Sequence, residues 1–210
     1  IVVDANATLS SIGNTPNGYT FKPVFGNYTT DSAVDNFSIY GITFILQAPA
    51  SSAVMLVASS PTNIKMKNVN VSGLGTDDHN KGQNGIHLYT PKDPIVEDCK
   101  FEYLIDSGVR FVIPTNARIE NCEFYFNGVD KQYPFSSPAT AVEYTDFWPV
   151  WSISCASSYN GKYLKNKINY SGGAGIGLRG GSNPCSYNTV RDNLIENVGK
   201  GGIGVGINTG

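Results

Sequence analysis

Three residues able to bind or cut a polar substrate recur at one place in a repeating tetrapeptide. His87 is third in "GIHL", Arg110 third in "GVRF" and Glu143 third in "AVEY". Each lies between two apolar residues, so in an extended strand each points away from the apolar side. An imidazole, a guanidinium and a carboxylate in one line could act as base or nucleophile, cation and acid. The guanidinium fork of Arg110 suits a uronate carboxylate. The plainer reading of this row is a solvated ladder of mixed charge.

The longest insertions precede the first and third of these tetrapeptides. One is "SGLGTDDHNKGQN", with Asp77, Asp78, His79 and Lys81; the other is "NGVDKQYPFSSPAT", with Asp130, Lys131 and Tyr133. Adjacent carboxylates beside a histidine could supply acid and base for glycosidic cleavage, or hold Ca²⁺, or be ordinary turn composition. The lysines and Tyr133 would face a substrate from loops on a rigid scaffold. Next comes "TDFWPVWSISC", which holds Trp148 and Trp151. Their rings read equally as a sugar platform, a subunit contact or local core.

The elements that must position these residues come from a repeat. "IYGITF", "MKNVNV", "VEDCKF", "IENCEF", "YLKNKI" and "VRDNLI" share one frame. Its fourth position falls at Ile42, Val69, Cys99, Cys122, Asn166 and Asn193, at steps of 27, 30, 23, 44 and 27 residues. Two places later stand Phe44, Val71, Phe101, Phe124, Ile168 and Ile195; three places earlier stand Ile39, Met66, Val96, Ile119, Tyr163 and Val190. A second frame follows each, as "AVML", "GIHL", "GVRF", "AVEY", "GIGL" and "GIGV". Its inner positions are Val54, Ile86, Val109, Val142, Ile176 and Ile203, then Leu56, Leu88, Phe111, Tyr144, Leu178 and Val205. Four apolar columns over six repeats predict a solenoid, because a single short repeat cannot cover its own apolar face and must stack on its neighbours. A β-sandwich would not reproduce the columns. The expected fold is all-β, with six to seven coils over residues 34–210 and a lead-in or capping coil over residues 1–33. The pattern reads as a piece of a longer chain.

Composition narrows the partners. Charged residues make up 15% and the net charge is -2, with no basic run, which argues against nucleic acid. No apolar run reaches the length of a membrane span. The four cysteines, Cys99, Cys122, Cys155 and Cys185, fit no zinc spacing. Cys99 and Cys122 fall on the inner reference column, where parallel side chains one coil apart are expected to remain buried thiols. Cys155 and Cys185 follow the second strands of adjacent coils and are expected to form a disulfide, implying an oxidising compartment. Sequons at Asn6, Asn27, Asn36, Asn70 and Asn169 permit an extracellular address and glycosylation.

The stretch "YNTVRDNLIENVGKGGIGV" resembles the repeat of right-handed parallel β-helix proteins, the pectate-lyase-like superfamily, and the likeness extends over about residues 34–206. That family holds polysaccharide lyases, glycosidases, epimerases and viral tailspikes. The resemblance implies an inner asparagine ladder at a turn, which Asn166 and Asn193 match. It also implies a polysaccharide or cell-surface glycan as partner, with the lyases often using Ca²⁺ and the spikes often trimeric. The aspartate constellation of polygalacturonases and the pectate-lyase calcium motif are not recognisable here. Two roles follow: an extracellular enzyme acting on polysaccharide, or a non-catalytic spike on a cell or virion surface.

Overall fold

The structure, a computed structural model, describes residues 8–11, 22–27, 35–46, 51–56, 60–73, 84–104, 106–128, 151–180, 183–199 and 201–206. Three parallel sheets form the walls of a solenoid. The first stacks β1 (Thr8–Ser11), β4 (Thr43–Leu46), β7 (Asn70–Ser72), β10 (Lys100–Glu102), β13 (Glu123–Tyr125), β16 (Lys167–Asn169) and β19 (Leu194–Glu196). The second stacks β2 (Lys22–Asn27), β5 (Ser51–Leu56), β8 (Asn84–Tyr89), β11 (Val109–Val112), β14 (Ile153–Ala156), β17 (Ala174–Arg179) and β20 (Gly201–Gly206). The third stacks β3 (Ser38–Tyr40), β6 (Lys65–Lys67), β9 (Ile95–Glu97), β12 (Arg118–Glu120), β15 (Lys162–Leu164) and β18 (Thr189–Arg191). Among the described residues the sheets hold seven, seven and six rungs, and the first rungs of two of them, β1 and β2, lie within residues 1–33. The third sheet carries the apolar column that stands three residues before the reference position, from Ile39 to Val190, so the first frame is split between two sheets.

Short strands of alternating residues bury one side of each rung. Phe44, Val71, Phe101, Phe124 and Ile168 are buried in one column, and Ile195 at its end is partly buried. Their register is direct, with Val71, Phe101, Phe124, Ile168 and Ile195 paired in sequence across the first sheet. Phe101 and Phe124 stack at 5.1 Å, so one rung's ring covers the next. The inner asparagine ladder is present: Cys122 N–H donates to Asn166 Oδ1 at 3.1 Å, and Asn166 N–H donates to Asn193 Oδ1 at 2.8 Å. The amides then donate back to Ile119 and Tyr163 carbonyls, at 3.0 and 2.8 Å. Buried backbone at the turn is thereby satisfied without water.

Corners between strands use left-handed backbone. Asn36, Asn63, Asp93, Asn116 and Asn160 share one corner, all with φ of 53–55°. Asparagine and aspartate tolerate that region better than other residues with a Cβ. Their side chains also hold each other, Asn116 Nδ2 to Asp93 and Asn160 Nδ2 to Asn116, both at 2.8 Å. A second corner carries a stack of rings, Tyr103 on Phe126 at 5.2 Å and Phe126 on Tyr170 at 4.7 Å.

Three expectations need correction. The fourth coil's second-frame strand is "ISCA", not "AVEY": Val109 pairs with Ile153, Arg110 with Ser154 and Phe111 with Cys155. Both segments alternate, and a buried cysteine serves as an inner residue as well as tyrosine does. Ser154 therefore takes the place beside Arg110 expected for Glu143. The pairing of Cys155 with Cys185 also fails, since all four cysteines are free. Cys155 is an inner residue of β14 rather than a corner residue, and the half-buried Cys185 donates its thiol to the Arg179 carbonyl at 3.0 Å. Finally, Ile203 and Val205 are not inside: they are 51% and 68% exposed. Among the described strands β20 stacks only on β17, so no rung covers them.

Candidate functional site

The outward row of the second sheet runs His87, Arg110, Ser154, Gly177 and Gly204, with Met55 of β5 in backbone register with His87. His87 and Arg110 are direct partners in adjacent rungs, which places their backbones about 5 Å apart. The next outward row adds Tyr89, Val112, Ala156 and Arg179. These two rows form the candidate site. Asp77, Asp78, His79, Lys81, Lys131, Tyr133, Glu143 and Trp148 lie outside the described residues, as does Asn6.

His87 is 8% exposed, and neither ring nitrogen has a hydrogen-bond partner. Burial first, then the charge of Arg110, pushes its pKa down to about 3, so the ring is neutral at ordinary pH. Beside it Tyr89 is 40% exposed, with the two ring centres 5.8 Å apart. Arg110 is fixed from the start of its own strand. Its Nη1 donates to Asp106 Oδ2 at 2.9 Å, and Ser107 Oγ donates to the other Asp106 oxygen at 3.0 Å. Asp106 is thus a carboxylate held by two donors, and it anchors Arg110.

Trp151 is not an exposed platform. It is 7% exposed, and its indole lies directly on Gly177. A Cβ at Gly177 would come within 1.3 Å of the ring, so only glycine fits beneath it. On the indole sits Arg179, its guanidinium 4.6 Å from the ring centre. Burial and the charge of Arg110 both lower the pKa of Arg179. Of the three readings open for Trp151, the structure places it as local core that carries a surface cation. Ser152, next to it, is buried with its hydroxyl unpartnered.

The other outward faces are closed by ion pairs. On the third sheet Lys67 meets Glu97 at 3.3 Å and Asp98 at 3.5 Å, while Glu120 takes Arg118 and Lys165. On the first sheet Lys100 pairs with Glu102 at 2.8 Å, and Lys100 and Lys167 both lie over the Tyr125 ring. Three of the sequons lie on outer walls: Asn36 and Asn70 are exposed, and Asn169 is half-exposed and accepts from Asn197; Asn27 is the last residue of β2.

His87 and Arg110 came from the sequence; Tyr89, Asp106, Ser154 and Arg179 did not. Tyr89 and Arg179 extend the same alternation by one step, in "GIHLY" and "GIGLR". Asp106 stands four residues before Arg110 in "DSGVR". No group of histidine, cysteine, aspartate and glutamate able to hold a metal occurs among the described residues.

The geometry defines the class as a parallel β-solenoid, with its polar site on one outer wall. The chain belongs to the right handed beta helix region family, whose model matches residues 52–209. No curated protein and no solved structure gives a match.

Proposed function

We propose that this chain recognises polysaccharide outside the cell, on the outer wall formed by β8, β11, β14 and β17. The reading rests on His87. A buried imidazole with two unpartnered nitrogens is costly, by about 1–3 kcal/mol for each unmet group. It sits between an exposed tyrosine and a fixed arginine, and as a neutral ring it offers one donor nitrogen and one acceptor nitrogen. Tyr89 offers a ring face for a sugar, and Arg110 offers a cation for an anionic substituent.

Recognition is favoured over cleavage by the same residue. An imidazole whose conjugate acid has a pKa of about 3 is a weak base, and Asp106 is tied to Arg110. This supports the attachment role, in which a rigid rod presents a glycan-reading wall at a cell or virion surface. The test is binding of the whole chain to an array of acidic and neutral polysaccharides, with release of reducing ends followed in parallel. H87L should weaken the bound glycan by about tenfold or more, as expected for a lost buried hydrogen bond. Binding unaffected by H87L and by R110Q would remove this wall from consideration, and release of reducing ends would replace recognition with catalysis.

A further inference from the structure

Tyr187 is 77% exposed, and Tyr159 beside it is 49% exposed. Their ring centres lie 5.4 Å apart and their planes cross at 77°, edge to face. Both stand at the corner between the second and third sheets. Tyr159 lies between β14 and β15 and bridges to Ser186, while Tyr187 lies between β17 and β18. Tyr187 takes the position that Asn63, Asp93, Asn116 and Asn160 hold on earlier rungs, and it shares their left-handed backbone, with φ of 58°. Asparagine and aspartate tolerate that region, whereas a tyrosine adopts it at a cost. At the other corner Tyr103, Phe126 and Tyr170 have the same backbone, but those rings are half-buried and stack face on face. Their packing offsets the strain. Tyr187 meets Tyr159 by an edge and leaves most of its surface to solvent, so burial does not account for a tyrosine here.

The corner that carries the pair is fixed from within. Asn188 Oδ1 accepts from Gly161 N–H and from Ser158 Oγ, both at 2.8 Å, and its Nδ2 donates to the Ser158 carbonyl at 2.9 Å. Ser158 Oγ also lies 2.6 Å from the buried Tyr163 hydroxyl. Ser186 N–H donates to the Ser158 carbonyl at 3.0 Å, and Asn160 N–H to the Ser186 carbonyl at 2.9 Å. Each exposed tyrosine is therefore flanked on both sides by a hydrogen-bonded residue. Rings held in this way lose little freedom when a ligand settles on them.

We infer that Tyr159 and Tyr187 form a second subsite for the polysaccharide, a platform on which the apolar face of an uncharged sugar ring stacks, just beyond the ends of β14 and β17; this rests on the reading that the adjoining wall binds polysaccharide. Tyr159 stands three residues past the end of β14, about 10 Å along the chain, so one glycan can cross from wall to corner. Thr115, Asn116, Asn160 and Ser186, which share the corner, are polar and uncharged, and this suits hydroxyls rather than an ionic group. Asn160 Nδ2 donates to Asn116 Oδ1 at 2.8 Å, and the Asn160 Oδ1, last in that ladder among the described residues, can accept from a sugar hydroxyl. Two rings near a right angle present a face and an edge together, which a flat sugar ring with hydroxyls on its rim can meet. The platform expected of Trp151 thus falls to these tyrosines.

The test takes the polysaccharides that the whole chain retains on the array, with poly-L-proline as the other class of ligand that packs on aromatic rings. Y187N, which returns the corner to the residue of earlier rungs, should weaken the retained polysaccharide by about fivefold, and Y159A with Y187N by about tenfold or more. The melting temperature of Y187N should equal or exceed that of wild type, because asparagine relieves the backbone. Weaker binding without loss of stability is a result that a merely structural tyrosine would not give. Y187F, which keeps the ring face, should bind within about twofold of wild type. If the double variant fails to fold, as judged by circular dichroism, Y187N alone decides. Affinity unchanged in the tyrosine variants but reduced in H87L overturns the platform and leaves the wall standing. A loss in Y187F equal to that in Y187N overturns stacking as its basis. Poly-L-proline bound by wild type and lost in Y187N, with sugar binding unaffected, assigns the rings to a peptide and overturns it as well. Retention of no polysaccharide by wild type overturns both readings.

Discussion

Protonating His87 should destabilise the fold in a way that can be separated from every other titrating group. Its pKa is near 6.5 when unfolded and about 3 in the folded chain. Because the folded value is the lower one, the unfolded chain binds the proton first as pH falls. The stability associated with neutral His87 is thus complete above about pH 6.5 and is lost progressively toward pH 3. Between pH 7 and pH 4 this linkage amounts to about 3 kcal/mol. Urea unfolding of wild type and H87L at both pH values isolates it, since carboxylate contributions are common to both chains and cancel in the difference. H87L should also be more stable than wild type at pH 7 by about 1–3 kcal/mol, because leucine removes two buried polar atoms that have no partner. An equal loss of stability in both proteins between pH 7 and pH 4 would refute the burial of a neutral imidazole. R110Q should raise the folded pKa of His87 and shrink the acid-induced loss of stability only slightly, because burial is the larger cause and the charge of Arg110 the smaller.

Phe124→Ala should cost about 3–5 kcal/mol in chemical denaturation, since a fully buried ring stacked on Phe101 leaves a cavity within a rigid column. Gly177→Ala should lower the melting temperature and change the tryptophan fluorescence, because the indole of Trp151 must leave its seat; an unchanged spectrum would contradict the contact. Thiol titration should find four reactive groups in the unfolded chain and fast reaction of Cys185 alone in the folded one, among Cys99, Cys122, Cys155 and Cys185. Burial raises the pKa of Cys155 to about 12 and keeps that thiol protonated and inert. Two thiols missing after denaturation would restore a disulfide.

The solenoid was legible because its stabilising pattern is local and repeated. Phe101 and Phe124 can be aligned by eye, since each rung buries the same two or three positions and the period of two decides which. The asparagine ladder at Asn166 and Asn193 was legible for the same reason, as was the adjacency of His87 and Arg110. What escaped was whatever follows an insertion. "AVEY" and "ISCA" alternate equally well, and nothing local says which one returns to the wall. Only pairing with β11 and β17 decides for Ile153 and Cys155, and with it that Ser154 rather than Glu143 stands beside Arg110. The fate of Cys155 follows from that register, because a residue facing inward on a strand cannot also lie at a corner. Side-chain contacts between neighbouring rungs were beyond any repeat: the indole of Trp151 on Gly177 and the guanidinium of Arg179 on the indole join residues whose spacing carries no period. The sequence by itself determined the coil, because stacking identical short strands needs only a periodic apolar code. The tertiary structure decided the site, because an outer wall is assembled from side chains of separate rungs whose register the insertions conceal.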